Sequence, residues 1–443
     1  MIAGLIRSHR FSVRRKIVRG HAAHRHHRPR AVAVAVALAI SLSAVLSACS
    51  ASGAQLQPPD AANPADAAPD APSNPPQWRT RDLYSVPGNT ETMYDGMVEG
   101  AGGALFAVGS YHDAAHNKHF FLRRSPDHGL SWASTGWDVA QASTDAMPVI
   151  AADSTGSLYI AGTYNKAWTV FKSTDPSGAS FVVVDSVAQS QVGALFGSAS
   201  LVVNAANEVF AVGSTLAGGV DSLRVRKSDS TGTSWTTVHD YAYAAGSSIF
   251  GFAIAIDDAG RLFIGAQTAT LDTGSHVIVQ RSADNGASWS TIEDLASPLP
   301  AQIEEVAVLR VLGTKLALVT TTRDSTTNLG ELSILECDIA TSCTPGGWTV
   351  ADAQPIENHS PDDGIVDIGR DQTGTLWING FLFQTSGLAF VARKQPPTGA
   401  WVDAHAEFGD PHVASYLRTA DNRFFAAGFD FGAEIQASIL EYR

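Results

Sequence analysis

The sequence predicts an all-β fold, a seven-bladed β-propeller with four-stranded blades. Three observations predict it. One apolar strand recurs seven times: Leu105-Phe-Ala-Val-Gly-Ser110, Leu158-Tyr-Ile-Ala-Gly-Thr163, Val209-Phe-Ala-Val-Gly-Ser214, Leu262-Phe-Ile-Gly-Ala-Gln267, Leu316-Ala-Leu-Val-Thr-Thr321, Leu376-Trp-Ile-Asn-Gly-Phe381 and Phe424-Phe-Ala-Ala-Gly-Phe429. Successive starts lie 53, 51, 53, 54, 60 and 48 residues apart, a period that suits a unit of four short strands. Seven aromatic residues, Trp78, Trp132, Phe181, Trp235, Trp289, Trp348 and Trp401, open a further strand at the same period. No segment holds the 3.6-residue period of a helical solenoid.

Composition agrees. The 443 residues are 44% hydrophobic and only 16% charged, enough to bury a sizeable core, and 39 Gly with 20 Pro suit many tight turns. Nine of the 30 basic residues fall in residues 1–48, which hold no acid; the other 21 stand against 43 acids, a balance of −22. A surface that acidic repels DNA and anionic headgroups, so nucleic acid is not an expected partner.

Taken in order, residues 1–48 read as a secretory signal: a basic, His-rich start, then an apolar run from Ala31 to Leu46, too short to span a membrane. Leu46-Ser47-Ala48-Cys49 resembles the bacterial lipobox, which implies lipidation of Cys49. Ser50 after it implies sorting to the outer membrane, and the bilayer becomes a partner through that anchor. Residues 49–77 are rich in Ala, Pro and Asp with little to bury, a disordered tether. The propeller is expected over residues 78–443, as a monomer.

Within each unit an inner strand, such as Val149-Ile-Ala-Ala152 or Phe252-Ala-Ile-Ala-Ile256, leads through a turn such as Asp153-Ser-Thr-Gly-Ser157, Asp257-Asp-Ala-Gly-Arg261 or Asp371-Gln-Thr-Gly-Thr375 into the recurrent second strand. These turn residues tolerate a tight hairpin. A third strand ends in a second signature, and the outer strand follows. Ser125-Pro-Asp127-His-Gly129-Leu-Ser-Trp132 and Ser282-Ala-Asp284-Asn-Gly286-Ala-Ser-Trp289 fit S-x-D-x-G-x-S-W throughout. Ser228-Asp-Ser230-Thr-Gly232-Thr-Ser-Trp235 has Ser230 in the Asp place, and Ser173 to Phe181 carries one extra residue. The signature resembles the Asp-box, the bacterial-neuraminidase repeat of sialidases and other β-propellers. In a hairpin turn the Asp accepts N–H groups, the Gly takes a positive φ and the aromatic ring packs between sheets. The resemblance implies a structural role, away from any active centre.

The last unit ends at Ile439-Leu-Glu-Tyr-Arg443 without an outer strand, while Trp78 comes before any unit has begun. The N-terminal strand is therefore expected to complete the last blade and remove an exposed sheet edge. Cys337 and Cys343 are expected to form a local disulfide closing a hairpin tip.

For chemistry the sequence offers less. The sialidase family uses three arginines on a carboxylate, a Tyr–Glu nucleophile and an Asp acid on six blades; no Arg-Ile-Pro motif exists here, and Arg123 and Arg124 fall in a third strand among recurring cations (Lys172, Arg226, Lys227, Arg281, Arg393, Lys394) that suggest a structural face. No G-x-S-x-G, phosphate loop or zinc motif is present, and neither a catalytic residue nor a cofactor is assigned. His112, His116 and His119 fall in one polar loop, either a divalent-metal site or a solvated hairpin. The function expected is a surface ligand-binding or scaffolding module for a glycan or protein, with an exo-acting glycoside hydrolase or sialidase-like enzyme as the alternative. Any ligand is expected at the channel mouth, where Asp95, Asp145, Glu304, Glu305, Asp362, Asp363 and Asp410 precede inner strands, with Tyr94 and Phe250 helping to hold it.

Overall fold

A computed structural model describes residues 77–443 apart from 90, 142–146, 166, 189–200, 218–219, 245–246, 271–273, 297–301, 325–326, 328, 357–363, 385–386, 405–411 and 432–434. The signal segment and all of the tether but Gln77 lie outside them, Cys49 included.

Seven sheets of four antiparallel strands are present. Their inner strands are Thr92–Glu99, Val149–Ala152, Leu201–Val203, Ser248–Ile256, Gln302–Leu312, Gly364–Arg370 and His412–Arg418. Each lies against the next, and the last lies against the first, so the sheets close into a ring. Among the described residues the one helical element is a short 3-10 turn, Ala101–Gly103.

The near-continuous apolar character of the second strands has a direct cause. Alternate side chains of a strand point to opposite faces, and here both faces are covered. In Leu105–His112, Leu105 and Ala107 pack with Phe425 and Ala427 of the last blade, while Phe106 and Val108 pack with Leu158 and Ile160 of the second. Every second strand thus feeds two seams, and each fully buried Leu, Phe or Val contributes ~1.5–3 kcal/mol. The glycine within these strands answers a separate need. A Cβ on Gly109 or Gly428 would collide with the carbonyl oxygen of Met93 or His412 in the adjoining inner strand.

The ends of the chain meet as expected. Trp78–Tyr84 is the outer strand of the last blade, paired with Ile435–Tyr442 from Trp78 opposite Tyr442 to Tyr84 opposite Ala437. Gln77 and Arg443 exchange backbone hydrogen bonds of 2.6 and 3.1 Å. The Trp78 indole lies 5.2 Å from the Tyr442 ring and 5.4 Å from that of Trp377 in the sixth blade. The other outer-strand aromatics do likewise: Phe181, Trp235, Trp289, Trp348 and Trp401 each pack into the seam with the preceding blade.

Candidate functional site

Antiparallel order sorts the connections into two ends. At the lower end lie the turns from inner to second strand and from third to outer strand. At the upper end lie the second-to-third hairpins and the connections leading into each inner strand.

The lower end is a set of self-satisfied turns. In the first blade the Ser125 hydroxyl donates to Asp127 (2.7 Å) and accepts from the Gly129 amide (2.7 Å), and Asp127 also accepts from the Leu130 and Ser131 amides at 3.1 and 2.9 Å. The fourth blade repeats this with Ser282, Asp284, Gly286 and Ser288. Gly129, Gly232 and Gly286 all have positive φ, at 88, 69 and 86°. Hydrogen bonds from the Ser288 hydroxyl and amide hold the Asp284 carboxyl down at about 2. In the third blade the carboxylate is displaced by one residue. Asp229, not position 230, accepts from the Thr231 and Thr233 amides, both at 3.1 Å, so Ser230 is no loss. In the fifth blade the buried Cys337–Cys343 disulfide closes the corresponding turn.

The third-strand cations are engaged with the framework. Arg123, Arg226 and Arg393 each reach across a seam to an outer-strand carboxylate of the preceding blade, Asp82, Asp185 and Asp352, at 2.9, 2.6 and 2.9 Å. The adjacent cations Arg124, Lys172, Lys227 and Lys394 lie over the Phe106, Tyr159, Phe210 and Trp377 rings of the neighbouring second strand, 5.4–5.9 Å from the ring centres.

At the upper end the acids named from sequence fare differently. Asp145, Asp362, Asp363 and Asp410 lie outside the described residues, as do the side chains of Glu304, Glu305 and Phe250. The backbone of Glu304 is inside an inner strand, opposite Thr322, not in the loop before it. Asp95 is likewise inside its strand, as a bulge residue between Tyr94, opposite Gly109, and Gly96, opposite Val108. Its carboxylate is buried and accepts from the Ser110 hydroxyl at 2.8 Å. Burial pushes its carboxyl up to about 6, against the opposing pull of the Lys118 charge and the Ser110 hydrogen bond. Tyr94 is not at a mouth at all. It is fully buried and donates to Asp82 at 2.5 Å, completing a Tyr94–Asp82–Arg123 chain. His412 is buried in an inner strand, 4.4 Å from the Phe429 ring, and burial pushes its imidazole down to about 3.

The sequence also places three histidines in one loop, and the structure corrects this. His112 ends the second strand and His119 lies in the third; only His116 sits in the exposed hairpin. The polarity of residues 112–119 reads as loop because its strand positions face a polar cluster instead of a seam. In that cluster His119 Nδ1 lies 2.7 Å from Asp138, and the Tyr111 hydroxyl donates to Asp138 at 2.6 Å. A similar cluster joins His276 and Asp294 of the fourth blade to Tyr243 in the connection leading into it. Among the described residues no group of three or more His, Cys, Asp or Glu could hold a metal ion.

No protein-family model matches this chain, and no characterised protein matches it in sequence. Solved structures of several kinds are similar to it. One is a Dyadobacter fermentans protein of unknown function, at 11% identity and TM-score 0.44 over 83% of this chain and all of that one. A Penicillium chrysogenum α-L-arabinanase is similar at 12% identity and TM-score 0.41, over 83% and 97%. A Trypanosoma rangeli sialidase is similar at 13% and 0.43, over 80% of this chain and 54% of that one. Likeness at this level concerns architecture and leaves the chemistry of the chain open.

Proposed function

We propose that this propeller is a ligand-binding module of the bacterial envelope, held by a lipid on Cys49, and that it takes a glycan or protein ligand at the upper end of the channel. One observation carries the choice of binding over sialidase-type hydrolysis. Arg123, Arg226 and Arg393, the kind of residue that would seize a substrate carboxylate, are committed across seams to Asp82, Asp185 and Asp352. A carboxylate-rich mouth binds hydroxyl or cationic groups by accepting hydrogen bonds.

The test is an array of glycans and peptides read twice, for retention and for new reducing ends. Retention without product is expected; release of reducing sugar overturns the reading. Neutralising Asp95, Asp145 and Asp363 together is expected to abolish retention in a ring that still unfolds in one cooperative transition. A Cys49→Ala chain is expected to leave the membrane fraction.

The second reading, an exo-acting glycoside hydrolase, draws on Asp95. A carboxyl pushed up to about 6 holds a proton where a general acid needs one. Product release abolished by Asp95→Asn would favour it.

A further inference from the structure

We propose that His119 is a proton-operated strap across the upper edge of the first blade, tight when its imidazole is charged and slack when it is neutral. The proposal stands apart from the identity of any ligand.

The strap spans three strands and adjoins the fourth. Asp138 is on the outer strand, His119 on the third, Tyr111 on the second, and Tyr111 pairs with Thr92 of the inner strand. His119 meets a carboxylate at each ring nitrogen: Nδ1 is 2.7 Å from Asp138 Oδ1, and Nε2 is 3.4 Å from Asp113 Oδ2 in the hairpin. The Tyr111 ring stacks on the imidazole with centroids 4.6 Å apart and planes 19° apart, and its hydroxyl lies 3.1 Å from Nδ1. A neutral imidazole has one N–H, so one of the two carboxylates must then face a lone pair. An imidazolium donates to both. Adding one proton therefore changes the number of satisfied contacts, and removing it sets two acceptors against each other.

Asp113, Tyr111 and Lys118 hold their states across the range in which histidine changes charge. Side-chain and backbone hydrogen bonds from Asn117 hold the Asp113 carboxyl down at about 2. Burial and the bond to Asp138 push the Tyr111 hydroxyl far up, so it stays a donor. Lys118 is buried beside the hairpin and positive. His112 faces Glu91, 3.7 Å away, and burial with the Lys118 and His116 charges pushes its imidazole down, so it resists protonation. Among the described residues His276 meets one carboxylate, Asp294, at 2.7 Å, with the Tyr243 hydroxyl 2.9 Å away. The strap matters for the mouth because Thr92 lies three residues before Asp95 on the same strand.

Amide hydrogen exchange of the Asp95→Asn chain, which lacks the other carboxyl of this blade that changes charge in the range, corrected for intrinsic rate, tests this at about pH 5 and about pH 8, either side of the histidine range. Residues 111–119 are expected to be about tenfold better protected at the lower pH, a difference lost in His119→Gln and retained in His276→Gln. Asp113→Asn leaves a single carboxylate at the ring and is expected to lose the difference too; it serves if His119→Gln fails to fold. A pH difference that persists in the folded His119→Gln or Asp113→Asn chain, or is missing from the parent, overturns the proposal.

Discussion

Asp95 and Asp284 carry one functional group into opposite surroundings, and pH separates them. Asp95 is buried and its carboxyl stands at about 6 when folded, above the value near 4 of an unfolded chain. The folded state thus holds this proton more tightly. Its contribution is fully present below about pH 4 and is lost as pH rises through about 6. Asp95→Asn should remove that fall, about 3 kcal/mol for a shift of about two pH units. Urea unfolding at several pH values reads it, and parallel profiles for parent and variant would contradict it. Asp284 stands at about 2 because Ser288 bonds to it. Its stabilisation is present above about pH 4 and is lost as pH falls through about 2, so Asp284→Asn should flatten the acid limb of the same profile. Glycines divide similarly. Gly129 and Gly136 both have positive φ, at 88 and 87°, but a Cβ on Gly129 meets the Phe425 ring and one on Gly136 meets open space. Gly136→Ala should cost about 1–2 kcal/mol of backbone strain, and Gly129→Ala clearly more; equal losses in thermal melts would refute the packing reason.

At the scale of elements, the fifth blade exchanges a carboxylate-centred turn for a covalent one. Cys337 and Cys343 are six residues apart, and closing so short a loop stabilises by about 2 kcal/mol in the chain-entropy estimate. The double Cys→Ser chain should unfold at a correspondingly lower urea concentration, and an unchanged midpoint would mean the turn needs no bond. The second strands were legible because both of their faces are buried, which leaves an unbroken apolar run with a glycine where an inner strand crowds in. Outer strands were legible only by their first aromatic, since most of the rest of each is exposed or only partly buried. The polar cluster of the first blade was not legible. Tyr111, His119 and Asp138 sit on three strands, and their meeting depends on a register that shifts by two residues between Phe121 and Arg123. Asp95 was found as an acid near an inner strand, but its place in a bulge depends on pairing that spacing does not reveal. The Asp229 substitution was likewise hidden, because a turn can slide its carboxylate by one position and still bond turn amides, here those of Thr231 and Thr233.

At the scale of the whole molecule, the charged residues read as fastenings. Arg123–Asp82, Arg226–Asp185 and Arg393–Asp352 each join positions 41 residues apart, so one register recurs at three seams. Glu441 binds Arg81 of the closing strand together with Arg423 and Arg443. Removing one partner of a buried pair costs roughly 3–5 kcal/mol because the other charge is stranded. Arg123→Met should show such a loss in urea unfolding, and Asp82→Asn combined with it should recover part of it. Every property assigned to the upper end presumes a closed ring, and that ring is closed by the strand Trp78–Tyr84. The most direct measurement is the thermal melt of a chain lacking residues 78–86. Loss of that strand exposes the edge at Ile435–Tyr442 and the Trp78 socket, so one cooperative transition should move to much lower temperature for the whole domain. A melt superimposable on that of the full chain would show that the ring closes some other way.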